Sequence, residues 1–383
     1  MKKLFFLLSF FFGAQAAFAI DAKIGLVADI GFKDKWYKIV PPAMPQILTV
    51  SKVFKGQNFV FVLFMNDYAV ANNTPNVVYD LKIVAPTGSM YFEQKGLAAL
   101  SQMLPNPNVI LLSEAQLQIS FEEKDAFGEY KIFVNVVDKI EGKEKKIEGK
   151  IELIDFKNTD GFKKEDELGP WMTMYYRNPS PEKLLDGFWL YTKSTFADND
   201  NSFPALMNFF REGFENNTYL IPKLLAGYSE QNEKTKFFTL FLIRNLNFKA
   251  DEFLKSLSEN ETAKWQKIVE DAALNPYAQI SHPIQLDILW TSFFATGTTA
   301  PIEKLVSVLA FKEFEGAEAT AESSDEQKEK FLKGLVYKSA KWSFESNTQQ
   351  HSLVKDYLRY ISLNPRLDKA ILKEVAEILA EVK

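Results

Sequence analysis

The chain has 383 residues, 46% hydrophobic and 25% charged, with 45 basic and 50 acidic residues for a net charge of -5. At about 150 residues per domain that length predicts two to three domains, and the composition excludes a collagen-like, wholly disordered or polytopic membrane chain. Only five basic residues are arginine (Arg177, Arg211, Arg244, Arg359 and Arg366), and a mildly acidic chain so poor in planar guanidinium groups is not built to bind nucleic acid.

Residues 1–19 read as a secretory signal. Lys2 and Lys3 form the positive start, Leu4–Phe12 an apolar run of nine, and Ala17-Phe18-Ala19 an A-x-A cleavage site, with Ala14-Gln15-Ala16 as an alternative. Nine residues are too few to span about 30 Å of hydrocarbon as a helix, so the segment is expected to be removed, leaving a soluble periplasmic or secreted protein with no transmembrane segment. The chain has no cysteine, which excludes lipoprotein attachment, disulfides, thiolate metal sites and a cysteine nucleophile.

Residues 20–155 read as strands. Phe59–Met65 is a near-continuous apolar run, the pattern of a strand covered on both faces. Tyr79, Leu81 and Ile83, then Leu117, Ile119 and Phe121, then Tyr130, Ile132, Val134 and Val136 alternate with polar residues, the period of half-buried antiparallel strands. Asn72-Asn73-Thr74-Pro75, Pro86-Thr87-Gly88 and Pro105-Asn106-Pro107 punctuate them, and Glu141-Gly142-Lys143 turns a last hairpin from Tyr130–Asp138 into Ile147–Ile154. Seven or eight short strands with regular turns predict a β-sandwich.

The run Asp125-Ala126-Phe127-Gly128-Glu129-Tyr130 resembles the corner before strand F of immunoglobulin-like domains. The resemblance implies that the Tyr130 hydroxyl bonds back to the preceding backbone. Ile132 stands where that family often has a cysteine, so the likeness is to the cysteine-free bacterial kind of module and carries no function of its own.

Residues 156–170, polar and holding Gly161 and Gly169-Pro170, read as a linker. Beyond it, over 171–383, the period becomes helical and predicts an all-α domain of eight or nine helices. Ser180-Pro181-Glu182 signals a helix start with serine as cap, followed by Leu184, Leu185, Phe188 and Trp189. Phe203–Phe214, Phe237–Ile243, Thr262–Ala273, Pro283–Phe294 and Ile302–Leu309 come next, with Phe237–Ile243 apolar enough to be a central helix. Residues 312–330 read as an acidic solvated loop ending in the capping box Ser324-Asp325-Glu326-Gln327. Leu185-Asp186-Gly187-Phe188-Trp189 is echoed 101 residues later by Leu286-Asp287-Ile288-Leu289-Trp290. The segment Trp290–Gly297, with Ala340–Ser343 and Asn347–His351, is similar to uncharacterised exported proteins of Gram-negative bacteria, which implies a cell-envelope home.

Catalytic signatures are sparse. His282 and His351 are the only histidines, and no HExxH, G-x-S-x-G, P-loop or G-x-G-x-x-G occurs. Both histidines read as surface residues near helix starts. Ser180-Pro181-Glu182-Lys183 fits S-x-x-K without its partner motifs, and Asp198, Asp200 and Ser202 start like a calcium loop that then fails at Phe203 and Phe209. No cofactor or metal is expected. Asp186 and Asp287, with Trp189 and Trp290 beside them, are the candidate carboxylate pair if the chain cleaves glycosidic bonds. The leading expectation is a non-enzymatic periplasmic binding or scaffold protein with a protein partner in the cell envelope. The alternatives are a carbohydrate-active enzyme with a helical catalytic domain and an accessory sandwich, and a carrier of a small apolar ligand in the phenylalanine-rich helical core.

Overall fold

The computed structural model describes residues 20–103, 109–157, 161–271 and 273–381. The signal segment 1–19 and the turn at Pro105-Asn106-Pro107 lie outside them. Strands fill the first part of the chain and helices the rest: β1 (Asp21–Val27), α1 (Phe32–Lys38), β2 (Lys52–Val53), β3 (Phe59–Asn66), β4 (Val70–Ala71), β5 (Thr74–Pro75), β6 (Val77–Val84), β7 (Met90–Leu100), β8 (Leu111–Leu112), β9 (Leu117–Ile119), β10 (Gly128–Asp138) and β11 (Lys143–Leu153).

In one sheet β1 pairs antiparallel with β3, and β3 with β8 and β9. The other runs β2-β11-β10-β6-β7, antiparallel throughout except for the parallel β2–β11 pair. The inward faces of the two sheets share one apolar core, with Phe61 and Leu63 of β3 and Tyr79, Leu81, Ile132 and Val136 of the larger sheet all fully buried. Alternation along β6 and β10 is what places these side chains on one face. Turn chemistry follows the sequence. Asn72 and Asn73 both adopt positive φ between β4 and β5, and Gly142 does so between β10 and β11. The Tyr130 hydroxyl donates to the Ala126 carbonyl at 3.0 Å, the bond its corner position implies.

The apolar run of β3 is covered on both faces, but its second cover is a helix. Phe32 and Trp36 of α1 pack on Val62 and Phe64 on the face of the sheet away from that core, and the Trp36 and Phe64 rings meet edge-on at 5.2 Å. This helix falls inside the stretch read as strands.

The helical part comprises α2 (Leu168–Thr173), α3 (Leu184–Lys193), α4 (Phe203–Glu215), α5 (Ile221–Ala226), α6 (Glu233–Asn245), α7 (Asp251–Lys255), α8 (Glu259–Glu270), α9 (Ile284–Thr296), α10 (Ala300–Ser307), α11 (Asp325–Gln350), α12 (Ser352–Ser362) and α13 (Lys369–Glu381). Two main cores serve it. One is built on α3, α4 and α6, the other on α9 to α13. The capping box at Ser324 and Gln327 is formed, and a second one forms at Ser258 and Glu261.

Several expectations need correction. α2 starts inside the stretch read as linker, with Leu168 buried and Pro170 in the first turn, where the ring costs no hydrogen bond. Ser180 does not cap. Its Oγ accepts the Trp171 indole N–H at 2.8 Å, and a short 3₁₀ turn over Pro181–Lys183 precedes α3. α6 is not the central helix, since Phe237 is 40% exposed. α9 takes that place, with nine of its residues buried. The count also exceeds the eight or nine helices expected, because short helices such as α5 and α7 carry too little periodicity to read.

Removing only the corner hydroxyl, Tyr130→Phe, is expected to cost about 1 kcal/mol in chemical unfolding, the worth of one net hydrogen bond. An unchanged unfolding midpoint would show that the corner bond adds nothing.

Candidate functional site: a cleft between strands and helices

Two close approaches join the strand part to the helical part. At the first, Gly31 sits against the end of α9. A Cβ there would lie 2.7 Å from the Gly297 carbonyl oxygen and 2.9 Å from that of Thr296, so the site admits only glycine without backbone movement. Gly297 ends α9 in the left-handed region, φ 64°. Asp34 of α1 accepts from the Thr299 N–H at 2.8 Å and its hydroxyl at 3.1 Å. Lys38 reaches Glu303 at 3.2 Å and the Thr299 hydroxyl.

At the second, Gly56 meets Tyr219, whose Cβ would stand 2.7 Å from an added Cβ. Phe54, Phe156 and Tyr219 gather there, with Phe54 and Phe156 ring centroids 5.1 Å apart.

A cleft of about 520 Å³ involves both parts. Its strand-side wall comes from Val27–Ile30, Leu48–Val50, Gln57–Val60 and Gln118. Its helix-side wall comes from Tyr175, Tyr176, Asn178, Pro179, Pro181, Glu215–Asn217, Ala295 and Thr296. The volume falls within the few hundred to 1,000 Å³ of small-ligand sites.

The two carboxylates of the lining are tied up internally. Asp29 is buried and pairs with buried Lys35 at 2.6 Å, while its other oxygen accepts the Gly31 N–H at 3.0 Å. Burial pushes its carboxyl above the usual range, opposed by the Lys35 charge and these hydrogen bonds. Glu215 accepts from Arg211 at 2.9 Å. Arg211 also donates to Glu212 at 2.5 Å and, through Nε, to the fully buried Asn208 at 3.1 Å. Asn208 in turn donates to Ser292 and to the Ile288 carbonyl. This network fastens α4 to α9.

His351 is not a surface residue, contrary to its reading. It is 1% exposed, packed against Tyr176, Phe293 and Phe294, and its Nδ1 shares a 3.2 Å hydrogen bond with the Tyr176 hydroxyl behind the cleft wall. Burial, helped by the charge of Arg177, lowers its pKa to about 4. Burial likewise raises Tyr176 to about 12. His282 is exposed, and its Nδ1 accepts the Ile284 N–H at the start of α9.

Asp186 and Asp287 lie on different helices, α3 and α9, and neither lines the cleft. Asp186 is half-buried against Gly161, and Asp287 is exposed in the first turn of α9. Trp290 belongs to the α9–α13 core, and Trp189 packs half-buried on the α3–α6 core. Of the S-x-x-K pair, Ser180 is occupied by Trp171, and the Lys183 ammonium lies over the Phe162 ring. Asp198 pairs with Lys234 at 2.6 Å.

Asp29, Lys35 and Glu215 carry no motif that marks them in the sequence. The available signal was Phe32-Lys33-Asp34-Lys35-Trp36, two aromatics four apart ahead of Pro41-Pro42, which spells a short amphipathic helix.

No family model and no curated protein matches the chain. Among solved structures, a family 123 glycoside hydrolase from Clostridium perfringens, described for glycolipid glycan hydrolysis, is similar at 14% identity and a TM-score of 0.20. The match covers 37% of this chain and 28% of that one, and carries no argument at that score. Among the described residues no helix is long and apolar enough to cross a membrane.

Two stability measurements probe the site. A histidine held near 4 when folded and near 6.5 when unfolded leaves the unfolded chain binding more protons between those values. Stability therefore falls as pH drops from 6.5 to 4, by about 3 kcal/mol in full, and is unaffected by this group above 6.5. His351→Gln should flatten that part of the profile; an unaltered slope would contradict the burial of a neutral imidazole. Lys35→Met strands the Asp29 carboxylate and should cost about 3–5 kcal/mol in chemical unfolding, most of it recovered in the Asp29→Leu, Lys35→Met double variant. A single-variant loss below about 1 kcal/mol would mean that the pair is hydrated.

Proposed function

We propose that this chain is a non-enzymatic binding protein of the bacterial cell envelope and that its ligand occupies the cleft between the strand and helix parts. One observation carries the reading: the carboxylates that line the cleft, Asp29 and Glu215, are each committed to an internal cation, Lys35 and Arg211. General acid–base work needs a carboxyl free to exchange a proton with substrate, and a carboxylate held against a fixed cation, buried for Asp29 and partly exposed for Glu215, gives that freedom up. The glycosidase alternative loses its named pair from the cleft, since Asp186 and Asp287 are not in the lining. A carrier of apolar ligands needs few polar groups in its lining, whereas this one carries the side-chain amides of Gln57, Asn58, Gln118, Asn178, Asn216 and Asn217.

The architecture fits a modular envelope protein. We read 20–155 as an immunoglobulin-like sandwich. Its support is the order β2-β11-β10-β6-β7, in which β11-β10-β6 match a G-F-C sheet extended by one strand at each edge, with β3 and β1 in the facing sheet and Tyr130 at the start of β10. We read the helices from α2 onward as a helical module. The signal-like start at 1–19 supports export.

Site-specific photo-crosslinking tests the binding reading. A benzophenone amino acid in place of Asn58, at the cleft wall, should yield a covalent adduct in cells, whereas one in place of Lys95 on the remote strand β7 should not. Equal labelling at both positions, or none at position 58, would contradict a cleft ligand.

A further inference from the structure

We infer that the cleft takes a neutral, polyhydroxylated ligand, a short oligosaccharide segment; this rests on the cleft being the binding site. The carboxylates of its lining are spent within the protein, as the Asp29–Lys35 and Glu215–Arg211 pairs show. Lys33 stands at the rim, exposed to water, where screening leaves a single charge little hold on an anion. The remaining polar groups are chiefly side-chain amides. Val60 faces Gln118 in the β3–β9 register, and Asn58 lies two residues before Val60, so alternation sets Asn58 and Gln118 on one side of the sheet. Both are exposed and line the cleft. A side-chain amide offers donors and an acceptor together, the pattern that a hydroxyl, itself donor and acceptor, complements. Apolar surface from Ile30, 44% exposed, and Pro179 in the same lining gives the C–H faces of sugar rings something to rest on.

A peptide added as a strand is the less suitable occupant. The β1 edge at the cleft is already used, with the Val50 N–H donating to Leu26 O at 2.8 Å and Val27 bridged to Thr49, so no ladder is left open there for an incoming backbone.

The test applies the full secreted chain to an array of neutral oligosaccharides, uronic- and sialic-acid-containing oligosaccharides and a random peptide library, followed by calorimetric titration of any hit. Neutral oligosaccharides should bind, be recovered uncleaved, and lose about tenfold in affinity in each of Asn58→Leu and Gln118→Leu, with melting temperature unchanged because both side chains are exposed. Binding confined to acidic glycans or peptides and weakened by the same substitutions would overturn the ligand class while leaving the cleft as a binding site. Binding of neutral glycans that ignores both substitutions would overturn the location. Failure of every probe would overturn the inference, and the crosslinking yield at position 58 then decides separately whether the cleft is a binding site at all.

Discussion

The arrangement depends on what α1 does with its two faces. Phe32 and Trp36 cover the outer face of β3, and Asp34 and Lys38 hold the start of α10 through Thr299 and Glu303. Between them Lys35 is buried against Asp29, its stem 3.5 Å from where a Cβ would stand on Gly297. The Tyr357 hydroxyl closes the far side, donating to the Gly297 carbonyl at 2.7 Å. A seven-residue helix has little stability of its own, so these contacts on two bodies are what hold it in place. They in turn set how far the strands stand from α9. The second approach, at Gly56 and Tyr219, fixes another point, and two points of contact leave space for a cleft.

That construction also explains the electrostatics of the cleft. Joining two folded parts through buried groups demands that each buried charge be matched, because an unpaired one costs several kcal/mol. Asp29 and Lys35 meet that demand at the joint, and within α4 Arg211 matches Glu212 and Glu215, with Glu212 also accepting from Ser292 of α9. The consequence is a lining of apolar surface and side-chain amides whose carboxylates are already paired. Such a surface recognises through amide and hydroxyl hydrogen bonds, which is why binding, and a neutral ligand, is the reading it supports best.

Much of the secondary structure is legible in the residues. β6 and β10 follow strict alternation, β3 its continuous apolar run, α9 its long apolar stretch after Pro283, and α11 its capping box. β7 escapes because it breaks the rule that would reveal it. It is an edge strand with three register irregularities against β6 and a left-handed Gly96, so its apolar residues do not alternate. α1 escapes because seven residues give barely two turns of pattern. Phe237 reads as core and is exposed, since an apolar side chain in a helix fixes no direction until its neighbours are known. The site is less legible than the fold for a related reason. Asp29, Asn58, Gln118 and Glu215 come from four separate segments, and only the closing of strands onto helices puts them around one space. His351 shows the same limit, because nothing near it in sequence announces the Tyr176 and Phe294 rings that bury it.

The joint itself is open to direct measurement, helped by the absence of native cysteine. Spin labels attached at Asn58→Cys and Asn178→Cys, one on each wall of the cleft, report the separation of the walls by pulsed electron resonance. A single narrow distance distribution is expected, which Gly31→Val in the same background broadens and shifts, because the added side chain collides with the Thr296 and Gly297 backbone. A distribution unmoved by Gly31→Val would contradict the claim that the α1 contact on α9 sets the cleft.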